Sequence, residues 1–146
     1  MSRKLRRRNP RVVIDTSVLV AGISGFRDQY LPAKNPSADI LRSWAQQQTF
    51  LWLITEDILD EYKEILQRLR VRPHVIGRVV NLTRERSEVL ELRSAAEISP
   101  DPKDDAFCLC ANEGKAEFLV TLNLKDFPQA RLKATVVSPG GFLALC

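Results

Sequence analysis

The segment Arg11-Val12-Val13-Ile14-Asp15-Thr16-Ser17-Val18-Leu19-Val20-Ala21 decides how the rest of the chain is read. Arg11–Ile14 is a short, unbroken, β-branched run, the pattern of a strand buried on both faces. Asp15 ends it, and Thr16-Ser17-Val18 start a helix or a tight turn. The chain thus leaves a buried strand through an acid.

The same alternation continues outward. Residues 22–35 hold Gly22, Gly25, Pro32 and Asn35 and read as a loop. Asn35-Pro36 opens a helix over 36–47, with Asn as cap and Pro in the first turn. Its apolar face is Ile40, Leu41, Trp44 and Ala45. Phe50–Ile54 is a second strand. Thr55 caps a helix over 56–70, where Glu56 and Asp57 suit the positive helix start. Ile58, Leu59, Tyr62, Ile65, Leu66 and Leu69 recur there at helical spacing. A further helix covers about 74–87, and Glu88–Leu92 reads as a short strand. An acidic turn, Ser99-Pro100-Asp101-Pro102-Lys103-Asp104-Asp105, enters a helix that ends at Gly114. Strands follow at 117–121 and 134–137. Pro139-Gly140-Gly141 reads as a turn before a short terminal piece, Phe142–Leu145. Strands alternating with helices predict an α/β fold around a parallel sheet.

The 146 residues suit one domain, with 45% apolar and 27% charged residues. No apolar run approaches the length of a membrane span. Cys108, Cys110 and Cys146 have no metal-finger spacing and predict free thiols in a reducing compartment, with Cys108 and Cys110 as small core residues. No secretory pattern follows the basic start, so the cytoplasm is the expected location. The formal charge of +4 hides an asymmetry. Arg3, Lys4, Arg6, Arg7, Arg8 and Arg11 make residues 1–11 +6, which leaves 16 basic and 18 acidic side chains beyond them. Residues 1–10 are expected to be a basic arm, and 11–146 the folded domain.

Acids and amides recur where strands end and helices begin: Asp15, Glu56, Asp104 and Asp105, Asn123 and Asp126. In a parallel sheet those positions share one rim, where ligands bind. Each alone has a local explanation as a helix cap, a dipole partner or a turn residue. Together they form a carboxylate cluster whose mutual repulsion a divalent cation relieves. Glu61 borders the apolar stripe of its helix, whereas Asp60 and Glu64 can point outward. His74, the one histidine, lies away from the acids, which argues against a histidine-based nuclease or a Ser–His triad. Trp44 and Trp52 lie in apolar segments and are expected in the core. No Gly-rich phosphate loop occurs. A receiver-like module would want paired acids near its start, and Asp15 has no acidic neighbour.

Four motifs carry a resemblance: Val-Ile-Asp15-Thr16-Ser17-Val-Leu-Val, Ile58-Leu59-Asp60-Glu61-Tyr62, Asp101-Pro-Lys-Asp104-Asp105-Ala, and Leu-Val-Thr121-Leu-Asn123-Leu-Lys-Asp126-Phe127. In order and spacing they resemble the PIN domain, in the branch similar to VapC toxins of bacterial toxin–antitoxin systems. The closing Val137-Ser-Pro139-Gly-Gly-Phe142-Leu143 fits that branch, and the likeness spans about Arg11 to Leu145. It implies a three-layer α/β/α domain with a parallel sheet of four or five strands and Mg²⁺- or Mn²⁺-dependent RNA cleavage. By motif matching, Asp15 and Glu61 are metal acids and Ser17 is a pocket hydroxyl. The third acid is Asp104 or Asp105. Asp104 shares a face with Phe107, Cys108 and Ala111, whereas ungapped matching back from Thr121 points to Asp105. Asp101 precedes them in an outer position. Asn123 departs from the family, which commonly has Asp there, and Asp126 lies three residues on. The alternative is a weakly catalytic domain that binds nucleic acid or protein. The resemblance also implies a small antitoxin partner and a homodimer. The apolar residues on helices 36–47 and 56–70 exceed what one sheet face needs, which leaves room for a dimer surface. Arg6, Arg7 and Arg8 of the arm are expected to contact the RNA backbone.

Overall fold

A computed structural model of the chain describes residues 9–27, 35–93 and 102–145, without the side chains of 102–104. Its elements in chain order are β1 (Arg11–Ile14), α1 (Thr16–Ala21), α2 (Pro36–Gln47), β2 (Leu51–Ile54), α3 (Glu56–Arg68), α4 (Pro73–Arg86), β3 (Glu88–Val89), α5 (Pro102–Glu113), β4 (Phe118–Val120), β5 (Thr135–Val137) and α6 (Pro139–Leu145). The five strands form one parallel sheet in the order β3-β2-β1-β4-β5. β1 is central, with Val12 in register with both Trp52 and Phe118. This is the parallel α/β fold that the alternation predicted, in the three-layer α/β/α form that the resemblance implied. All five C-terminal strand ends face one rim, and Asp15 sits at its middle.

Both sheet faces are covered, which is why β1 and β2 can be almost wholly apolar. Side chains on alternate strand positions face opposite ways. On one face, Trp44 of α2 meets Trp52 edge-on with ring centres 4.7 Å apart, and Phe142 of α6 meets Phe118 at 5.4 Å. On the other, Arg11 bonds the Gly114 carbonyl where α5 ends. Tyr62 of α3 packs on both Trp52 and Phe107 of α5. Cys108 and Cys110 are buried, as expected, and burial pushes the Cys110 thiol up to about 12. The predicted caps form: Asn35 Oδ1 accepts from the Ala38 amide and Thr55 Oγ1 from the Ile58 amide.

Two expectations need correction. The stretch after α1 is not wholly loop, because Ile23–Phe26 forms a 3-10 turn. Pro139-Gly140-Gly141 is not a turn but the start of α6. Ser138 holds the Gly141 and Phe142 amides, and the Phe142 ring anchors the helix between Phe50 and Phe118. Most of the apolar residues of α2 and α3 pack inside the chain: Ile40, Leu41, Trp44, Ile58, Leu59, Tyr62 and Leu66 are buried, Ala45 and Ile65 are half-buried, and Leu69 just beyond α3 is exposed.

Gly22 and Gly25 let the backbone of this turn touch α2. A Cβ at Gly22 would lie 2.5 Å from the Ser37 carbonyl oxygen, and one at Gly25 2.5 Å from that of Ala38. Neither obstacle is a flexible side-chain tip. Gly22→Ala is therefore expected to lower stability by about 2 kcal/mol or more, the upper part of the overpacking range. Urea denaturation against wild type measures it.

Candidate metal centre and its cleft

Asp15 follows the last residue of β1 and is 5% exposed. Its amide donates to the Val120 carbonyl, which fixes it beside the end of β4. Although Asp15 is the residue before α1, its side chain makes no cap bond. The carboxylate turns sideways instead. Ser17 Oγ donates to Oδ2 at 2.7 Å and Thr121 Oγ1 donates to the same oxygen at 2.8 Å. Each hydroxyl is itself oriented by a backbone amide: Leu122 N–H donates to Ser17 Oγ and Asn123 N–H to Thr121 Oγ1. Both supports converge on Oδ2, so the described residues donate no hydrogen bond to Oδ1.

Glu61 lies one turn into α3 and is half-buried, as its place beside the apolar stripe predicted. Thr16 Oγ1 donates to its Oε2. Two consecutive hydroxyl residues, Thr16 and Ser17, thus hold two different carboxylates. Helical spacing achieves this, because neighbouring residues in a helix point about 100° apart. Tyr62, next along α3, donates its hydroxyl to the Ile14 carbonyl, which ties the helix to the strand end just before Asp15.

These acids open into a cleft of about 790 Å³. Among the described residues, Asp15, Asp57, Asp60, Glu61, Glu64 and Asp126 line it against one cation, Arg68, which pairs with Glu64 at 2.7 Å. Asn123 lines it as well, and its side chain does not cap the turn it precedes. Sequence reasoning missed the cleft positions of Asp60 and Glu64, which were expected to point outward, and the holding roles of Thr16 and Thr121. A hydroxyl beside each strand-end acid was the available signal. Asp105 is half-buried on α5 and is not among the residues lining the cleft. The side chain of Asp104, together with Asp101, Arg6, Arg7 and Arg8, lies outside the described residues. Among the described residues no three His, Cys, Asp or Glu side chains stand close enough to hold a metal ion. The donor chemistry does fit one: the oxygens of Asp15, Glu61 and Asn123 are hard donors in an acidic cleft, as Mg²⁺ and Mn²⁺ prefer.

A parallel α/β/α sheet with a buried acid at the end of its central strand defines a class of domain, and sequence comparison gives the class a family. The PIN domain model matches residues 11–125, and the chain belongs to the PIN domain family. Comparison with curated proteins gave no match. Among solved structures, the crystal structure of VapBC2 from Rickettsia felis bound to a promoter DNA fragment is similar in fold. Its TM-score is 0.56 at 14% identity, over 88% of this chain and 98% of that one.

Arg11 does not belong to a substrate-binding arm. It begins β1, at the opposite end of the strand from Asp15, and Glu88 holds its guanidinium through both carboxylate oxygens. That hydrogen-bonded pairing raises its pKa. Asn9 and Pro10 are tied in as well, through the Gln48 carbonyl and the Leu51 amide. No helix among the described residues is long and apolar enough to cross a membrane.

Proposed function

We propose that this chain is a Mg²⁺- or Mn²⁺-dependent endoribonuclease of the cytoplasm, the toxin of a toxin–antitoxin pair. Membership in the PIN family supports the nuclease reading, and the side chain of Asp15 carries it. A buried carboxylate at the end of the central strand is held by two hydroxyls through one oxygen, its other oxygen takes no hydrogen bond from a described residue, and the residue lines a cleft together with Glu61. A residue serving only as a helix cap would have turned to the α1 amides.

In this reading Asp15, Glu61 and the third acid hold the cation, with the Asn123 amide oxygen available to a ligand water. The bound ion supplies an activated water and charge for in-line displacement at phosphorus. The protein's part is positioning. Ser17 and Thr121 hold the Asp15 carboxylate in one orientation, and Thr16 does the same for Glu61. Fixed ligands need no rearrangement as charge develops on the phosphate. Hydrolysis breaks the bond between phosphorus and O3′, leaving a 3′ hydroxyl and a 5′ phosphate. Cleavage of single-stranded RNA in Mn²⁺ that EDTA abolishes, with 5′-phosphate ends, is the expected result. A 2′,3′-cyclic phosphate product refutes the mechanism.

Asp104 is taken as the third acid in this reading, because by helical spacing in the sequence it falls in line with Phe107, Cys108 and Ala111, which are buried on α5. Asp104→Asn is expected to lose about 100-fold in cleavage rate, the several kcal/mol that a metal ligand contributes. Asp105→Asn is expected to stay within about tenfold. The reverse pattern moves the role to Asp105.

A small antitoxin and a homodimer follow from the VapC resemblance and are part of the proposal. A second reading, a PIN domain that binds nucleic acid or protein without cutting, is favoured by the neutral Asn123. Failure of the wild-type protein to bind Mn²⁺ in calorimetry selects it. Arg6, Arg7 and Arg8 are proposed to hold RNA through charge alone. Deleting residues 2–8 is expected to weaken RNA binding and flatten its salt dependence while metal binding stays the same.

A further inference from the structure

Beside the acidic cleft lies a second depression, of about 730 Å³, with charge of the opposite sign. It forms where the end of α3 turns into α4 and meets the Ile23–Phe26 turn. Among the described residues, Arg27, Arg70, Arg72, His74 and Arg78 line it, and no Asp or Glu does. All five are exposed. Leu69 lines both depressions, so the basic groove and the acidic cleft adjoin across one side chain.

The local structure gathers these cations. The Arg70 amide bonds to the Gln67 carbonyl and the Val71 amide to the Leu66 carbonyl, closing the end of α3. This closure places Arg70 at a φ of 59°, a left-handed position where Gly or Asn is usual. α4 then starts with Arg72 before Pro73, with no side-chain cap and no acid in its first turn. α3, by contrast, begins with Thr55, Glu56 and Asp57. The positive end of α4 therefore adds to the guanidinium charge and is not offset by it. Arg27, Arg70 and Arg72 make no ion pair with a described residue. The four full cations are all arginine, whose planar fork grips phosphate oxygens in pairs.

The cleft beside it poses the complementary difficulty. Among the described residues, six carboxylates and one guanidinium line it, a formal balance of −5 that repels a phosphodiester chain. Attraction has to come from next to the cleft. Arg11 cannot provide it, being paired with Glu88 at the far end of the sheet.

We propose that the groove of Arg27, Arg70, Arg72, His74 and Arg78 is the track that holds the RNA phosphate backbone on one side of the cutting site. This rests on the ribonuclease reading above. The groove grips the phosphates that flank the scissile bond, and the strand passes over Leu69 into the acids.

The test measures binding without turnover. A labelled single-stranded RNA is titrated with full-length protein in EDTA at several salt concentrations, by fluorescence anisotropy. Arg70→Ala combined with Arg72→Ala is expected to weaken binding about tenfold and to lower the slope of log affinity against log salt by about 1.4, two lost single-strand phosphate contacts. Lysine at both positions is expected to restore most of the slope, which a merely structural defect would not allow. Circular dichroism melting checks that the variants fold. Wild-type affinity and slope in the alanine variant overturn the proposal. So does a groove that poly-glutamate occupies as readily as RNA, which marks it as a protein-docking surface, and so does a preference for single-stranded DNA. RNA held by the groove but never cut in Mn²⁺ refutes the ribonuclease reading and leaves the groove standing. RNA that is cut, with binding indifferent to the substitutions, does the opposite.

Discussion

Asp15→Asn is expected to cut RNA cleavage in Mn²⁺ by about 10³-fold, roughly the 4 kcal/mol of transition-state stabilisation that a central metal ligand represents. The substitution is well suited to the test because the amide fits the same supports. Ser17 and Thr121 both donate to Oδ2, and an amide oxygen in that place can accept both bonds. The amide nitrogen then takes the place of Oδ1. What is lost is a negative charge and the acceptor at Oδ1, with the packing intact. The melting temperature is therefore expected to stay within a few degrees of wild type, and Mn²⁺ affinity to fall alongside the rate. Thr121→Val provides the comparison. It keeps the side-chain shape and removes one of the two hydroxyls that hold the carboxylate, leaving the Asn123 amide without its acceptor. A supporting contact of this kind is worth about 10- to 100-fold in metal affinity. Equal activity in Asp15→Asn and wild type would mean that the nuclease lies elsewhere or is a contaminant.

The fold was legible because burial on both sheet faces leaves an unmistakable mark. Val12-Val13-Ile14 and Leu51-Trp52-Leu53-Ile54 admit no polar residue, and the caps Asn35 and Thr55 stand where the helices start. The terminal helix was not legible. Two glycines after Pro139 look like a turn, and only a ring buried from afar, Phe142 between Phe50 and Phe118, makes a helix of them. Of the site, the acids could be read from their strand-end positions, but not how they are held. Thr16 and Ser17 are adjacent in sequence, and nothing local says that one serves Glu61 and the other Asp15. That depends on α3 crossing past α1. The same holds for charge. Arg11 counted toward the +6 of residues 1–11, yet its partner, Glu88, is far away in sequence and close only through the β2–β3 pairing. The groove at Arg70 and Arg72 was hidden for the converse reason, since its five basic residues come from two separate segments of the chain.

The largest effect on stability is expected at Trp52. It is fully buried on β2 and touches Trp44, Phe50 and Tyr62 at ring-centre distances of 4.7, 6.3 and 6.0 Å. Its indole N–H donates to the Tyr62 hydroxyl, which in turn donates to the carbonyl of Ile14. Trp52→Ala removes the ring shared by α2, α3 and the sheet and is expected to cost about 4 kcal/mol, within the range for deleting a buried aromatic. For a domain whose whole stability is of order 5–15 kcal/mol, that loss leaves a substantial unfolded fraction at moderate temperature. Trp52→Phe separates packing from polarity. It keeps most of the ring contact and loses the indole N–H, so a cost of about 1–2 kcal/mol is expected, and Tyr62 still has the Ile14 carbonyl to bond. Chemical denaturation of both variants, followed by circular dichroism, measures the two costs. The chain of contacts from Trp52 through Tyr62 to Ile14 ends one residue before Asp15, so it bears on function as well. Loss of the phenol anchor in Tyr62→Phe loosens the strand end that presents the metal acid, and is expected to lower Mn²⁺ affinity more than the stability change alone explains. A Tyr62→Phe protein that is destabilised but binds Mn²⁺ as wild type does would mean that Asp15 is positioned by Ser17 and Thr121 without help from α3.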